Sequence, residues 1–219
     1  TRQHKLVDLE IEQQINTEIV GCIYKGVVKN IVPAVDGIFV DIGIGKNAFL
    51  RRKDLLNEKR FPTEGSPILA QVIKSDTDMK GALITEKISM FGKYAVTLSG
   101  TGYIGVSKKI RQESVRKRLK EIGKEICAEH MGLIIRTAAE NADMDEFRKD
   151  ITRLKENWDI IQKRFRMEKS PTLLYRESDI IVKALRDYVN KGTEILITDN
   201  RKIYERICKL NESEHTICL

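Results

Sequence analysis

Two phenylalanines stand close to glycines and lysines in IYKGVVKNIVPAVDGIFVDIGIGKNAFL, residues Ile23 to Leu50. Exposed aromatic rings over a basic groove stack unpaired nucleic-acid bases, each stack being worth roughly 1–3 kcal/mol. Phe39 and Phe49 have the right chemistry for such a platform, and Lys25, Lys29, Lys46, Arg51, Arg52 and Lys80 for the groove. The other reading makes both rings barrel core and the lysines solvated surface. Strand alternation bears on the choice: in IFVDIG, Ile38, Val40 and Ile42 share one face and Phe39 and Asp41 the other. The aliphatic trio suits the core. That leaves Phe39 on the opposite face, where both readings stay open.

A second set of groups lies in GLIIRTA, Gly132 to Ala138. An apolar strand that ends in Arg136 and Thr137 releases a planar guanidinium fork beside a hydroxyl and a backbone N–H. Such a set can grip a phosphate with free oxygens. An ordinary surface ion pair with a turn-capping Thr is the commoner use of the same two residues. The run from Lys108, Lys109 and Arg111 through Arg116, Lys117, Arg118, Lys120 and Lys124 suits phosphate contact. It equally suits a solvated helix face with i,i+4 pairs. Lys108 and Lys109 precede the helix and are the better contact candidates.

Other chemistries find little support. Asp76 and Asp78 sit in a hairpin loop, where Asp is common, and Asp179 sits at a helix start, where Asp caps. With Asp41, Asp187 and Asp199 they form no acidic cluster for a metal, so neither catalytic nor metal-ligating residues are assigned. GIGKNAF lacks the Gly-Lys-Ser/Thr ending and the following helix of a phosphate loop. Cys22, Cys127, Cys208 and Cys218 include no CxxC pair, which disfavours a zinc site or disulfide framework. His4, His130 and His215 have no partner at metal-ligand spacing.

The 219 residues carry a formal net charge of +7, which favours a polyanionic partner. No apolar run is long enough to span a membrane, and TRQHKLVDLE lacks the apolar core of a signal peptide. A reduced cytoplasmic setting is the expectation.

The elements that must position these groups follow from periodicity. Lys5 to Gln13 alternates as a strand. The span from about Glu18 to Ser89 offers roughly five short strands separated by Gly-containing turns, the pattern of an OB-type barrel. YAVTLSGTGYIGVSKK continues as β. ESVRKRLKEIG places Val115, Leu119 and Ile122 on one helical stripe, with Gly123 expected as its C-cap. Phe147, Ile151, Leu154, Trp158, Ile161 and Phe165 repeat at helical spacing, Asp143 and Glu146 suggest a capping box, and Ser170-Pro171 closes the element. DIIVKALRDYV and RKIYERICKL read as helices flanking TEILITDN, expected as a strand that could pair with Lys5 to Gln13.

In order along the chain, IYKGVVKNIVPAVDGIFVDIGIGKNAFL, KGALITEKISMFGKYAV, GVSKKI, MGLIIRTA and RESDIIVKALRDYV resemble the ribonuclease E/G family of bacterial endoribonucleases, over almost the whole chain. The resemblance implies an α+β fold: a five-stranded OB-type RNA-binding barrel, of the ribosomal protein S-one kind, at 18–88. A 5′-sensor subdomain would occupy 89–177. Both would interrupt a partial ribonuclease H-like α/β unit formed by 1–17 and 178–219. It implies RNA-channel roles for Phe39, Phe49 and Lys80, with Lys108 and Lys109 as a paired basic contact. It implies a 5′-monophosphate pocket at Gly92, Val96, Arg136 and Thr137. One basic channel position of the family is Thr77 here, which puts that contact in doubt.

The family's magnesium-binding Asp residues belong to a segment beyond Leu219. The expectation is therefore an N-terminal portion of a magnesium-dependent, single-strand-specific endoribonuclease of ribosomal RNA processing and messenger decay. Alone it would need no cofactor and would be inactive. The full-length parent would be a homo-oligomer, and this portion a monomer. The rival expectation is a stand-alone RNA-binding adaptor without catalysis.

Overall fold

The computed structural model describes residues 5–6, 9, 11, 19–59, 61–77, 80–127, 131–177, 179–189, 193 and 195–214. Residues up to Glu177 form one compact unit and those from Ser178 a second. The expected strand Lys5 to Gln13 lies mostly outside the described residues.

The first unit begins with β1 (Ile23–Val32), β2 (Gly37–Asp41), β3 (Ala48–Arg51), β4 (Pro67–Lys74) and β5 (Leu83–Thr85). β1 pairs with both β2 and β4, and β5 joins β3 to β4, so the five strands close into a barrel. Closure leaves no open edge among them. The alternation in the sequence decides what goes inside. Ile38, Val40, Ala48, Leu50, Ile84 and Val72 are buried, as is Ile42 just past β2. Each of the larger aliphatics among them, Val, Leu or Ile, contributes about 1.5–3 kcal/mol. Between β1 and β2 the chain makes a 3-10 turn over Pro33–Val35, with Asp36 in the left-handed region at φ 47°.

A second sheet follows, ordered β6 (Ser89–Phe91), β7 (Ala95–Ser99), β9 (Met131–Ile135), β8 (Ile104–Val106). β8 and β9 run parallel, and α1 (Glu113–Ile126) makes the crossover between them. α1 and α2 (Met144–Met167) cover one face, where Leu119, Ile122, Phe147, Ile151 and Leu154 meet Met90, Ala95, Leu133 and Ile135. The expected cap at Gly123 is not found. The helix runs through it to Ile126, and Gly123 is buried, with Leu133 only 3.0 Å from where a Cβ would stand, closer than ordinary van der Waals contact. Glycine here lets the helix lie close to β9 rather than ending it.

α2 starts at the expected cap, but only half of the expected capping box forms, because the Glu146 carboxylate accepts from the Tyr94 hydroxyl and not from the Asp143 N–H. Asp143 accepts hydrogen bonds from the N–H groups of Asp145 and Glu146. After the helix, β10 (Thr172–Tyr175) returns to the barrel and pairs antiparallel with the first residues of β1. Lys25 of β1, only 9% exposed, donates its ammonium to the carbonyls of Phe165 and Glu168 at the end of α2, both at 2.6 Å. That satisfies orphan carbonyls with a charge of the sign that a helix C-terminus favours.

The second unit contains α3 (Ile180–Tyr188) and α4 (Arg201–Glu214). Asp179 caps α3 through the N–H groups of Ile181 and Val182 and pairs with Arg206 at 2.5 Å. The strand expected at TEILITDN is not formed among the described residues. Ile195, Leu196 and Ile197 are exposed there, and no described strand pairs with them. An apolar run becomes a strand only when a neighbour satisfies its backbone groups. Among the described residues no helix is long and apolar enough to cross a membrane.

Candidate nucleic-acid interface

The first group of candidates lies on the outside of the barrel. Phe39 of β2 and Phe49 of β3 are direct cross-strand partners, half-buried, with ring centroids 5.4 Å apart at 48°. Their neighbours on the inner face, Ile38, Val40, Ala48 and Leu50, take the core. The alternation reading of Phe39 therefore holds, and Phe49 joins it. The Phe49 ring also lies over Gly37, where no side chain competes for the space. The register extends the row across the barrel: Asn30 opposes Phe39, Leu83 lies beside Phe49, and Lys74 opposes Leu83. Asn30, Leu83 and Lys74 were not foreseen, because register between strands is not visible in one strand's pattern.

Lys80 is exposed at the end of the loop that feeds β5. Its N–H donates to the Thr77 hydroxyl and carbonyl, at 3.2 and 3.3 Å. The same Thr77 carbonyl accepts the Lys46 ammonium at 3.0 Å. Thr77 thus shapes the loop that carries Lys80. Of the other cations expected in the groove, one is removed from it by burial and three have carboxylate partners at the surface. Lys25 is buried at the end of α2, because the helix carbonyls need a donor there. Lys29 pairs with Asp41 at 3.4 Å and Arg51 with Asp54 at 2.5 Å. Arg52 pairs with Asp36 and lies over the Phe61 ring. GIGK forms the turn into β3, with no helix behind it.

The second group gathers at one end of the second sheet. Because β8 and β9 are parallel, the residues that follow them emerge side by side. Ser107 and Thr137 place their hydroxyl oxygens 2.9 Å apart. Lys108 and Lys109 follow Ser107 and are exposed; the Lys109 N–H donates to the Ser107 hydroxyl at 3.3 Å. Arg116 of α1 holds the same loop by donating to the carbonyls of Ser107 and Ile110. The Arg136 guanidinium donates to the Gly92 carbonyl at 2.9 Å, and its backbone N–H to the Tyr94 carbonyl. Val96 opposes Ile134, on the sheet face turned away from the helices. The structure therefore brings Gly92, Arg136, Thr137, Lys108 and Lys109 to one sheet end, with Val96 on the adjoining open face.

Behind this set lies a carboxylate. Asp150 of α2 is 7% exposed and accepts from the N–H groups of Lys93 at 3.2 Å and Tyr94 at 2.8 Å. It also pairs with Arg153 at 3.2 Å. Burial, then the hydrogen bond to Glu146, pushes the Tyr94 phenol far above its ordinary range; that hydroxyl donates to Glu146 at 2.5 Å. Neither Ser107 nor Asp150 was singled out from the sequence. Asp150 did leave a signal: it falls three residues after Phe147 and four before Leu154, on the apolar stripe. A lone acid on a buried stripe asks for buried donors.

Among the described residues no group of three His, Cys, Asp or Glu side chains could hold a metal ion. The donors at the sheet end are a guanidinium, two hydroxyls and two ammoniums, a set that suits an anion.

The chain matches the model of the S1 RNA binding domain over residues 18–85 and that of the Ribonuclease E/G family over residues 89–217. It is 33% identical to Ribonuclease G of Escherichia coli (strain K12), across 92% of this chain and 45% of that protein. To Ribonuclease G of Haemophilus influenzae it is 32% identical over the same shares. To Ribonuclease E of Buchnera aphidicola subsp. Schizaphis graminum it is 32% identical, over 92% of this chain and 22% of that protein. The chain spans less than half the length of these curated relatives. With the barrel at 18–85 and the second sheet, its helices and the C-terminal unit inside the other match, the chain belongs to the ribonuclease E/G family.

Proposed function

We propose that this chain binds single-stranded RNA and prefers a 5′-monophosphorylated end, serving as the recognition part of a ribonuclease. The observation that carries the reading is the Phe39–Phe49 pair, two adjacent rings kept out of a core that aliphatic residues fill. Bases stack on such rings whatever their sequence, and Lys80, Lys108 and Lys109 supply charge for the backbone. The cluster at Arg136, Thr137 and Gly92 supports the 5′-end preference. A terminal monophosphate offers free oxygens to a guanidinium fork and hydroxyls. A 5′-hydroxyl offers none, and a triphosphate is bulkier and more charged.

Cleavage in such a ribonuclease would use water activated by a magnesium ion, with ribosomal RNA precursors and messengers in the cytoplasm as substrates. The described residues do not fit that ion, and no step of cleavage is assigned to them. The test is binding of one oligonucleotide with 5′-phosphate or 5′-hydroxyl, by fluorescence anisotropy. Wild type should favour the phosphate form, and Arg136→Ala should reduce the ratio. An unchanged ratio in Arg136→Ala would refute the pocket. RNA affinity unchanged in Phe39→Ala, together with an unchanged ratio in Arg136→Ala, would refute the whole reading.

A further inference from the structure

We propose that Asp150 is a positioning residue for Arg136, acting through the peptide groups of the turn between β6 and β7. The inference rests on reading Arg136 as the ligand of the RNA 5′-phosphate.

The peptide group joining Gly92 to Lys93 has two ends. Its N–H donates to Asp150 Oδ1 at 3.2 Å, and its carbonyl accepts from Arg136 Nη1 at 2.9 Å. Tyr94 adds a second link through two successive peptide groups: its N–H donates to Asp150 Oδ2 at 2.8 Å, and its carbonyl accepts the Arg136 backbone N–H at 2.8 Å. A buried negative charge and a guanidinium thus face each other across the same short stretch of main chain. Hydrogen bonds in series polarise one another, so the carboxylate strengthens the carbonyl that orients the fork. Arg136 presents five N–H donors in a fixed plane, and fixing one of them fixes the direction of the rest. Held this way, the fork meets a phosphate without first losing rotamer freedom.

The same geometry accounts for glycine at position 92. A Cβ there would stand 2.4 Å from Asp150 Oδ2. The side chain that Gly92 lacks and the carboxylate of Asp150 compete for one space. Arg153, half exposed, balances the charge from the solvent side. Asp150 packs against Gly92 and reaches Arg136 through the main chain of the turn.

The test measures the ratio of affinities for 5′-phosphate and 5′-hydroxyl forms of one oligonucleotide in Asp150→Asn, Gly92→Ala, Arg136→Ala and Asp150→Asn/Arg136→Ala, each with its melting temperature. Asp150→Asn should lower the preference roughly tenfold, the scale of one hydrogen bond to a charged group. Affinity for the 5′-hydroxyl form, held by the barrel, should not change. The double substitution should lose no more preference than Arg136→Ala alone. Should Asp150→Asn fold poorly, Gly92→Ala gives the same readout, because it displaces the carboxylate without removing it. A full preference retained in both Asp150→Asn and Gly92→Ala, while Arg136→Ala loses it, overturns the proposal and leaves the pocket standing. Equal weakening of both oligonucleotides with a lower melting temperature overturns it in favour of a purely structural role. An unaffected ratio in Arg136→Ala removes the pocket, and the proposal with it.

Discussion

Phe39 and Phe49 cover each other yet stay half in water, beside inner-face neighbours that are fully buried. Truncating a core phenylalanine costs about 3–5 kcal/mol of stability. Phe39→Ala should cost far less than that, while weakening RNA binding by about 1–3 kcal/mol. Chemical denaturation and anisotropy titration on the same sample separate the two, and a core-sized stability loss would return the ring to the interior. Glu86 supports a prediction of another kind. Burial raises its carboxyl above the ordinary range, although the Leu56 N–H, donating at 2.9 Å, works the other way. An acid raised by folding binds its proton more readily in the folded state. Stability therefore falls as pH rises from the unfolded value through the folded one, and the penalty is complete above the folded value. Glu86→Gln keeps an oxygen for Leu56 and removes the penalty. Its melting temperature should exceed that of the wild type at pH 7, and the gap should close below about pH 4. At this scale the sequence was informative where period-two alternation applied, as at Ile38, Phe39 and Val40. It was silent on Ser107 and Asp150, whose partners lie thirty residues and more than fifty away.

At the scale of elements, Lys25 shows how a strand residue can serve a helix. Its charge looked fit for a groove, but the carbonyls of Phe165 and Glu168 claim it. Lys25→Met keeps the aliphatic stem and strips the donor, leaving those carbonyls without it. The expected loss is about 1.5–3 kcal/mol of stability, the range for hydrogen bonds to a charged group. RNA affinity at saturation of the folded state should be unchanged. A fall in affinity at unchanged stability would place Lys25 back among the contacts. The elements most legible in the sequence were those with an unbroken period and a capping acid, α2 above all. Gly123 misled, since a glycine that ends a helix and one that lets a helix approach a sheet look alike until the sheet is known. TEILITDN misled for a related reason: its apolar residues describe a strand in composition, but pairing is a property of the neighbour.

At the scale of the molecule, the formal charge of +7 is spread unevenly in its use. Lys29, Arg51 and Arg52 are committed to carboxylates within the barrel. Lys80, Lys108 and Lys109 stand exposed near the two candidate sites, with no ion pair among the described residues. Binding driven by counterion release falls with salt at a slope of about −0.7 for each phosphate neutralised on a single strand. Lys80→Ala should therefore flatten the plot of log affinity against log salt by about 0.7, and Lys29→Ala should leave it unchanged. Equal slopes for wild type and Lys80→Ala would remove Lys80 from the interface.

The return of β10 to β1 joins what the sequence presented as successive modules. One strand of the barrel is hydrogen-bonded to the segment that leaves the second sheet's helices, so the aromatic pair and the Arg136 cluster share a frame. An RNA held at both would have to bridge them with a set number of nucleotides. The pair would then act as a gauge of strand length: oligonucleotides too short to bridge gain nothing from a 5′-phosphate at the aromatic end, and those just long enough gain the product of two weak grips.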